Sequence, residues 1–96
     1  MISVKVTDKV VIVSGHAMFA DAGKDIVCSG VSSITFGTLN WLEQFGKSRT
    51  TVEANKITIN YVESDKQAID QMIVQLQTIE ESYPKFIKID KGNQNV

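Results

Sequence analysis

The chain has 96 residues, of which 43% are hydrophobic and 22% charged, and its formal net charge is −1. This length allows one small domain with a single core, and the charge excludes the strong basic field with which many proteins attract nucleic acid or anionic lipid. No run of residues reaches the roughly 18 apolar positions that indicate a membrane span. The single cysteine excludes an internal disulfide, as is usual in a reducing cytoplasm. We therefore expect one cytoplasmic domain over residues 1–96.

The first segments predict a β-hairpin followed by a loop. Apolar and polar residues alternate over 2–6, which predicts a strand with one exposed face. The β-branched run 10–13 predicts a second, more central strand that is covered on both faces. Residues 16–24 are mostly small or polar, which predicts a loop.

A long helix is predicted next. Asp25 is a suitable N-cap residue, and Gly46 is suitable for the position after the last turn. Gly30 and Gly37 lie inside this helix and cost about 1 kcal/mol each relative to alanine, which a close packing surface would explain. The predicted core-facing stripe, with the tryptophan as its anchor, consists of Val27, Val31, Ile34, Thr38, Trp41, Leu42 and Phe45.

The second half repeats this pattern of a hairpin and a helix. Alternating residues over 52–61 predict a hairpin that turns at Asn55-Lys56. A second helix is predicted to begin near the acidic segment 63–65 and to end before Pro84, and a short strand follows. Residues 91–96 are expected to be a frayed tail. The predicted fold is α+β, a single domain in the order β-β-α-β-β-α-β with a mixed sheet packed against two helices.

The only histidine and the only cysteine, His16 and Cys28, flank the predicted loop. An imidazole next to a thiol favours the thiolate, which is the reactive form of cysteine. A helix dipole alone stabilises a thiolate by only roughly 0.3–1 kcal/mol, which is too little to keep most of the thiol ionised. This hypothesis therefore requires His16 and Cys28 to be in contact. If the helix begins at Asp25, the N–H groups near Cys28 and Ser29 could form an oxyanion hole. The reaction would be acyl transfer through a thioester.

Several residues around this pair have two possible roles. Asp25 could orient the imidazole or serve only as the helix cap, and Ser32, one turn after Cys28, could support the site or bond to its own helix. Met18 and Phe19 could fill the core or contact a peptide substrate. Cys28 itself could be an inert core residue. A metal site is not expected, since zinc usually needs three or four protein ligands, and no cofactor is expected.

The motif Gly15-His16-Ala17, followed by Gly23-Lys24-Asp25-Ile26-Val27-Cys28 and then Val31-Ser32, resembles the signature of the ribosomal-processing cysteine protease family, Prp. The resemblance extends over essentially the whole chain in length and element order. It implies a cytoplasmic cysteine endopeptidase with a His/Cys dyad, in which His16 is the general base and Cys28 the nucleophile. It also implies supporting roles for Asp25 and Ser32.

The resemblance further implies a substrate and an assembly. Family members remove a short N-terminal extension from large-subunit ribosomal protein number twenty-seven, and they are commonly homodimers. No membrane and no direct nucleic-acid contact are expected. The alternative is a non-catalytic, ribosome-associated module that binds protein or RNA; the sequence pI of about 5.7 argues against its RNA form.

Overall fold

The computed structural model describes residues 1–15 and 22–92, with backbone only for residues 22–25. It contains a five-stranded sheet in the order β3-β4-β2-β1-β5. The strands are β1 (Ile2–Val6), β2 (Val10–Ser14), β3 (Arg49–Glu53), β4 (Lys56–Asn60) and β5 (Ile87–Asp90). The helices are α1 (Ala22–Phe45) and α2 (Lys66–Ser82), and a 3₁₀ turn, Glu63–Asp65, leads into α2. The predicted single α+β domain and its element order are confirmed.

The sheet is mixed because only its last strand runs parallel to its neighbour. β1 pairs antiparallel with β2, β2 with β4, and β4 with β3, whereas β5 is parallel to β1. The β1–β2 turn is fixed by Thr7, whose backbone N–H and hydroxyl both donate to the carbonyl of Val10. Tyr61 strengthens the same corner by donating its hydroxyl to the Thr7 carbonyl at 2.6 Å.

A single hydrophobic core joins one sheet face to both helices. In β2, Val11 and Val13 are buried, whereas Val10 and Ile12 are only half-buried. Ile12 pairs with Lys5 on one side and Thr58 on the other, so its face of the sheet carries polar neighbours. The prediction that this strand is covered on both faces is therefore wrong, although its central position is confirmed.

The predicted core-facing stripe of α1 is confirmed in part, since Val27, Val31 and Leu42 are buried and Trp41 and Phe45 are not. Leu42 is 2% exposed, whereas Trp41 is 46% exposed and stacks at a tilt on the exposed ring of Phe45. The prediction of Trp41 as a core anchor is wrong. The buried positions of the helix are Val27, Val31, Thr35, Leu39 and Leu42, which still follow helical spacing.

One of the two glycines inside α1 marks a close approach between the helices. A Cβ atom at Gly30 would lie 3.0 Å from the Cδ1 atom of Ile79 on α2, whereas nothing lies within 4 Å of the same position at Gly37. Close packing therefore explains Gly30 and does not explain Gly37.

The second helix and the last strand agree with the sequence. Ile69, Met72, Ile73 and Leu76 are buried on α2 at helical spacing. Glu80 accepts the Ile89 N–H of the edge strand β5 at 2.8 Å. Most of the predicted tail, 93–96, lies outside the described residues. Across 1–15 and 22–92, neither helix combines the length and the apolar character that crossing a membrane requires.

Candidate active site

Cys28 lies in the second turn of α1, on the side of the helix that faces the sheet. Its side chain is half-buried and packs against the core. It lines a pocket of about 190 Å³ at the end of the sheet where β2 finishes and β4 begins. The described residues that line this pocket belong to β1, β2, α1 and the β3–β4 hairpin; besides Cys28 they include Gly15, Ser32, Thr35, Phe36 and Ile57.

Gly15 is the residue that brings the end of β2 to this pocket. Its φ of +85° is in the left-handed region that favours glycine, and a Cβ atom there would collide with the carbonyl oxygen of Met1. Its N–H donates to the Asn55 carbonyl at 3.1 Å, which ties it to the β3–β4 turn. His16, Met18 and Phe19 themselves lie outside the described residues.

The start of α1 corrects the prediction for Asp25. The helix begins at Ala22, so residues 22–24 are helical rather than part of the predicted loop, and Asp25 is not the N-cap. Alanine and lysine are good helix formers, and a single glycine between them costs only about 1 kcal/mol, which allows the helix to extend through this segment. The rest of the predicted loop, 17–21, lies outside the described residues.

The earlier helix start also overturns the expected oxyanion hole. Only the N–H groups of the first turn lack partners within a helix. Cys28 is the seventh residue of α1, so its N–H and that of Ser29 belong to the second turn and bond to carbonyls four residues earlier. These N–H groups therefore cannot stabilise an oxyanion.

Ser32 is one turn after Cys28, and its side chain is exposed where it lines the same pocket. Position 25 is one turn before Cys28, so helical spacing places positions 25, 28 and 32 on one face of α1. Because Asp25 is not needed as a cap, the conflict between its two predicted roles is removed.

Two parts of the pocket were not predicted from the sequence. Thr35 is 1% exposed and lines the pocket two turns after Cys28, although the predicted stripe does not include it. The hairpin residues Glu53 and Lys56 place one negative and one positive side chain at the pocket. Periodicity could have found Thr35, because it lies four residues after Val31, but the predicted stripe continued through Ile34 and Thr38 instead.

Comparisons with known proteins identify the family of this chain. A family model described as Cysteine protease Prp matches residues 1–88. The chain belongs to the Prp family of cysteine proteases. This confirms the resemblance and the prediction that the chain is a cysteine protease.

Individual Prp proteins match along most of their length. The protein named Ribosomal processing cysteine protease Prp of Mycoplasma genitalium is 33% identical over 95 residues, which are 95% of this chain and 96% of that protein. The protein of the same name from Staphylococcus aureus is 34% identical over 94 residues, 90% of this chain and 87% of that one.

Solved Prp structures share the fold. The crystal structure of S. aureus Prp with a covalently linked product peptide matches with a TM-score of 0.81 and 31% identity, over 96% of this chain and all of that one. The structure of the S. aureus protein with a substrate peptide matches with a TM-score of 0.80 and 30% identity over the same shares.

Proposed function

We propose that this chain is a cysteine endopeptidase that removes the N-terminal extension of large-subunit ribosomal protein number twenty-seven. Cys28 is the nucleophile and His16 the general base. One observation carries this assignment: Cys28 lines a pocket together with Gly15, the residue bonded to His16, in a chain of the Prp family. Gly15 directly precedes His16 in the chain, so the proposed general base follows a residue that lines the pocket.

The reaction follows from thiol chemistry. His16 accepts the proton of the Cys28 thiol, and the sulfur attacks the carbonyl carbon of the scissile peptide bond. The C–N bond then breaks, the leaving amine takes the proton from the imidazolium, and a thioester remains. Water gives a proton to His16 and attacks the thioester, the C–S bond breaks, and the sulfur regains its proton from the imidazolium.

The position of Cys28 in the helix makes the imidazole of His16 more important for stabilising the thiolate. The effect of a helix dipole falls off beyond the first turn, and Cys28 lies in the second turn of α1. The dipole therefore contributes little to a thiolate, and His16 is the group that must stabilise it. Asp25 and Ser32, which share the helix face of Cys28, support the orientation of the ring.

The pocket is large enough for one substrate side chain. Its volume of about 190 Å³ equals that of roughly six water molecules at about 30 Å³ each. Val13, Val31 and Ile57 give it apolar walls, which suits an apolar or aromatic residue before the cleaved bond. Met18 and Phe19 follow closely after Gly15 in the chain and are proposed to contact the same segment of the substrate.

The likeness to named relatives supports the substrate. The Mycoplasma and Staphylococcus proteins carry the name ribosomal processing protease, and the S. aureus protein has been crystallised with substrate and product peptides. The family resemblance also leads us to propose a homodimer located in the cytoplasm, acting on the ribosomal precursor without a cofactor.

Cleavage of the purified precursor by matched variants tests this function. Cys28→Ala and His16→Ala are each expected to lower kcat/KM by at least about a thousandfold, because the two groups act as one unit. Ser33→Ala is the control, since Ser33 is exposed and lines a separate groove between the two helices. Circular dichroism checks that every variant is folded.

Two results would overturn the proposal. Unchanged turnover in folded Cys28→Ala would exclude the thiolate mechanism. Binding of the precursor by the wild-type chain, without any cleavage, would favour the non-catalytic binding module instead.

A further inference from the structure

The two edge strands of the sheet, β3 and β5, differ in how their outer sides are covered. At β5, the carboxylate of Glu80 accepts the Ile89 N–H at 2.8 Å. At β3, all five residues of Arg49–Glu53 are exposed. An exposed edge strand presents a row of N–H and C=O groups with which another strand pairs readily.

The hydrogen bonds at the two ends of β4 show how its backbone alternates between its neighbours. The Gly15 N–H donates to the Asn55 carbonyl, and the Tyr61 N–H donates to the Lys9 carbonyl in the β1–β2 turn. Successive residues of an antiparallel strand direct their backbone groups to opposite sides. The odd-numbered residues of this segment therefore bond to β2, and positions 56, 58 and 60 bond to β3.

The same alternation leaves two residues of β3 with outward-facing backbone groups. Positions 56, 58 and 60 pair with Glu53, Thr51 and Arg49, so these three residues use their N–H and C=O groups inside the hairpin. The groups of Thr50 and Val52 point away from the sheet, and the described residues offer them no partner. A further strand beside β3 can bond to both residues.

The sequence of β3 is complementary to an antiparallel copy of itself. When two copies are centred on Thr51, Thr50 faces Val52 of the second copy, and Arg49 faces Glu53 of the second copy. The residues with outward groups thus face each other, and each such pair exchanges two N–H···O bonds. Opposite charges directly across an antiparallel pair are favourable, whereas like charges are not. A second copy always carries this complement, and a substrate strand does not.

We propose that β3 is the interface of a homodimer, in which the β3 strands of two copies pair antiparallel about Thr51 and join the two sheets. The inference gives an interface to the homodimer proposed above, and it does not depend on proteolytic activity. Val52 is 54% exposed on the sheet face that carries the core, and it packs against Thr50 of the second copy. Glu53 lines the candidate active-site pocket and lies opposite Arg49 of the second copy.

Disulfide cross-linking tests the register of this pairing. The two copies of Thr51 form a non-hydrogen-bonded pair with Cα atoms about 4.5 Å apart, which is within the range that a disulfide spans. Because Cys28 is the only cysteine, Thr51→Cys is introduced into Cys28→Ala. We expect this variant to oxidise to a covalent dimer, detected by non-reducing electrophoresis and intact mass.

Thr50→Cys in the same background is the matched control for the cross-link. Its two copies would be offset by two residues along the strands, which places their Cα atoms about 8 Å apart. This separation exceeds the reach of a disulfide, so the control should remain monomeric under oxidation.

Val52→Pro tests the hydrogen bonds between the copies. Proline at this position leaves the β3–β4 ladder intact, because the Val52 N–H points outward, but it removes one donor from each copy. Sedimentation over a concentration series should show a reversible dimer for the wild type and a Kd at least about tenfold higher for the variant. Val52→Thr keeps the N–H and the side-chain shape, and it should dimerise as the wild type does.

Charge reversal tests the ends of the interface without touching the backbone. Arg49→Glu and Glu53→Arg each place like charges opposite each other in a homodimer, so each variant alone should raise the Kd at least about fivefold. In an equimolar mixture, each copy of one variant faces opposite charges on the other. The mixture should therefore dimerise with a Kd close to that of the wild type. Circular dichroism checks that every variant is folded.

Three results would overturn the inference. These are a wild-type chain that remains monomeric over the whole concentration series, a dimer without the Thr51→Cys disulfide whose Kd is unchanged in Val52→Pro, and a charge-reversal mixture no tighter than its components. A monomeric wild type whose KM for the precursor rises in Val52→Pro at unchanged kcat would show that β3 binds substrate instead. The association measurements contain no substrate, so a failure of the proteolytic function would leave them unaffected.

Discussion

At the scale of single residues, Gly15 determines the direction in which the backbone leaves β2 at the candidate site. It combines a left-handed φ of +85° with a close approach to the Met1 carbonyl, and it is the last described residue before His16. Any other residue would have to move the start of β1 or change the direction of the backbone. A misdirected backbone here would displace the next side chain, which is the proposed general base.

Gly15→Ala is therefore expected to impair both stability and activity. The left-handed conformation costs a residue with a Cβ atom about 1–2 kcal/mol, and the collision with Met1 adds to that cost. Denaturant unfolding measures the loss of stability, and precursor cleavage by the fraction that remains folded should fall at least tenfold.

Gly37→Ala is the matched control for this prediction. No atom lies within 4 Å of the added Cβ, and the position is inside a helix, so this variant should be more stable than wild type by up to about 1 kcal/mol. Equal effects of the two substitutions would contradict the role assigned to Gly15.

Single residues also show what sequence could and could not reveal about the site. The motif around Cys28 was recognisable because its residues lie close together in the chain. Thr35 was missed because Ile34 and Thr38 also fit helical spacing, so periodicity did not indicate which of these positions is buried. The bond from Gly15 to Asn55 joins residues 40 positions apart, and no local pattern predicts such a contact.

At the scale of elements, Asp65 connects the start of α2 to the turn between α1 and β3, which lies 17 to 18 residues earlier in the chain. Its buried Oδ2 atom accepts hydrogen bonds from the N–H groups of Lys47 and Ser48, at 2.8 Å each, and from the Ser48 hydroxyl at 2.6 Å. Ser48 in turn accepts the N–H of Val62 at 3.2 Å. The end of α1, the start of β3 and the start of α2 are held together by this one carboxylate.

This network predicts a specific dependence of stability on pH. The hydrogen bond from the Ser48 hydroxyl, helped by the two backbone N–H groups, outweighs the opposing effect of burial and lowers the pKa of Asp65. A lowered pKa means that the unfolded state binds more protons, so the contribution of Asp65 is complete above the usual carboxyl pKa of about 3.9 and is lost as pH falls through the lower folded value.

Asp65→Asn should therefore remove stability at neutral pH and weaken the loss of stability in acid. At pH 7 we expect the free energy of unfolding to fall by about 1.5–3 kcal/mol, the usual contribution of a hydrogen bond to a charged group. Between pH 5 and pH 2 it should fall less steeply in the variant than in wild type. Parallel pH profiles for the two proteins would contradict this account.

Asp70→Asn is the control for the Asp65 substitution. Asp70 is exposed and forms an ion pair with the exposed Lys66, at 3.2 Å on the surface of α2, and such pairs contribute little. At pH 7 the free energy of unfolding should fall clearly less in Asp70→Asn than in Asp65→Asn.

The elements differ in how well the sequence predicts them. β1, β4, β5 and α2 are predicted well because each has one apolar face. α1 has apolar residues on two faces, so its periodicity indicates a helix without indicating which side is buried, and the exposed pair of Trp41 and Phe45 shows the result. The start of α1 could not be located because Asp25 has the properties of a cap even inside the helix.

At the scale of the whole molecule, the topology brings the proposed site together. The order of the strands places the end of β2 beside the beginning of β4. α1 packs over these strand ends with Cys28 in its second turn. Two segments that are separated by the predicted loop thus meet at one pocket. Element order was predictable from the sequence, whereas strand order and the pocket depend on long-range pairing.

The most direct test of the central claim is to trap the acyl-enzyme. The wild-type protein is mixed with excess precursor, quenched in acid within the first turnover, and analysed by intact mass and peptide mapping. We predict an added mass equal to the released N-terminal fragment minus one water, located on Cys28, and no such species in Cys28→Ala. Cleavage of the precursor by Cys28→Ala at the wild-type rate, with no adduct on Cys28 in either protein, would contradict the account.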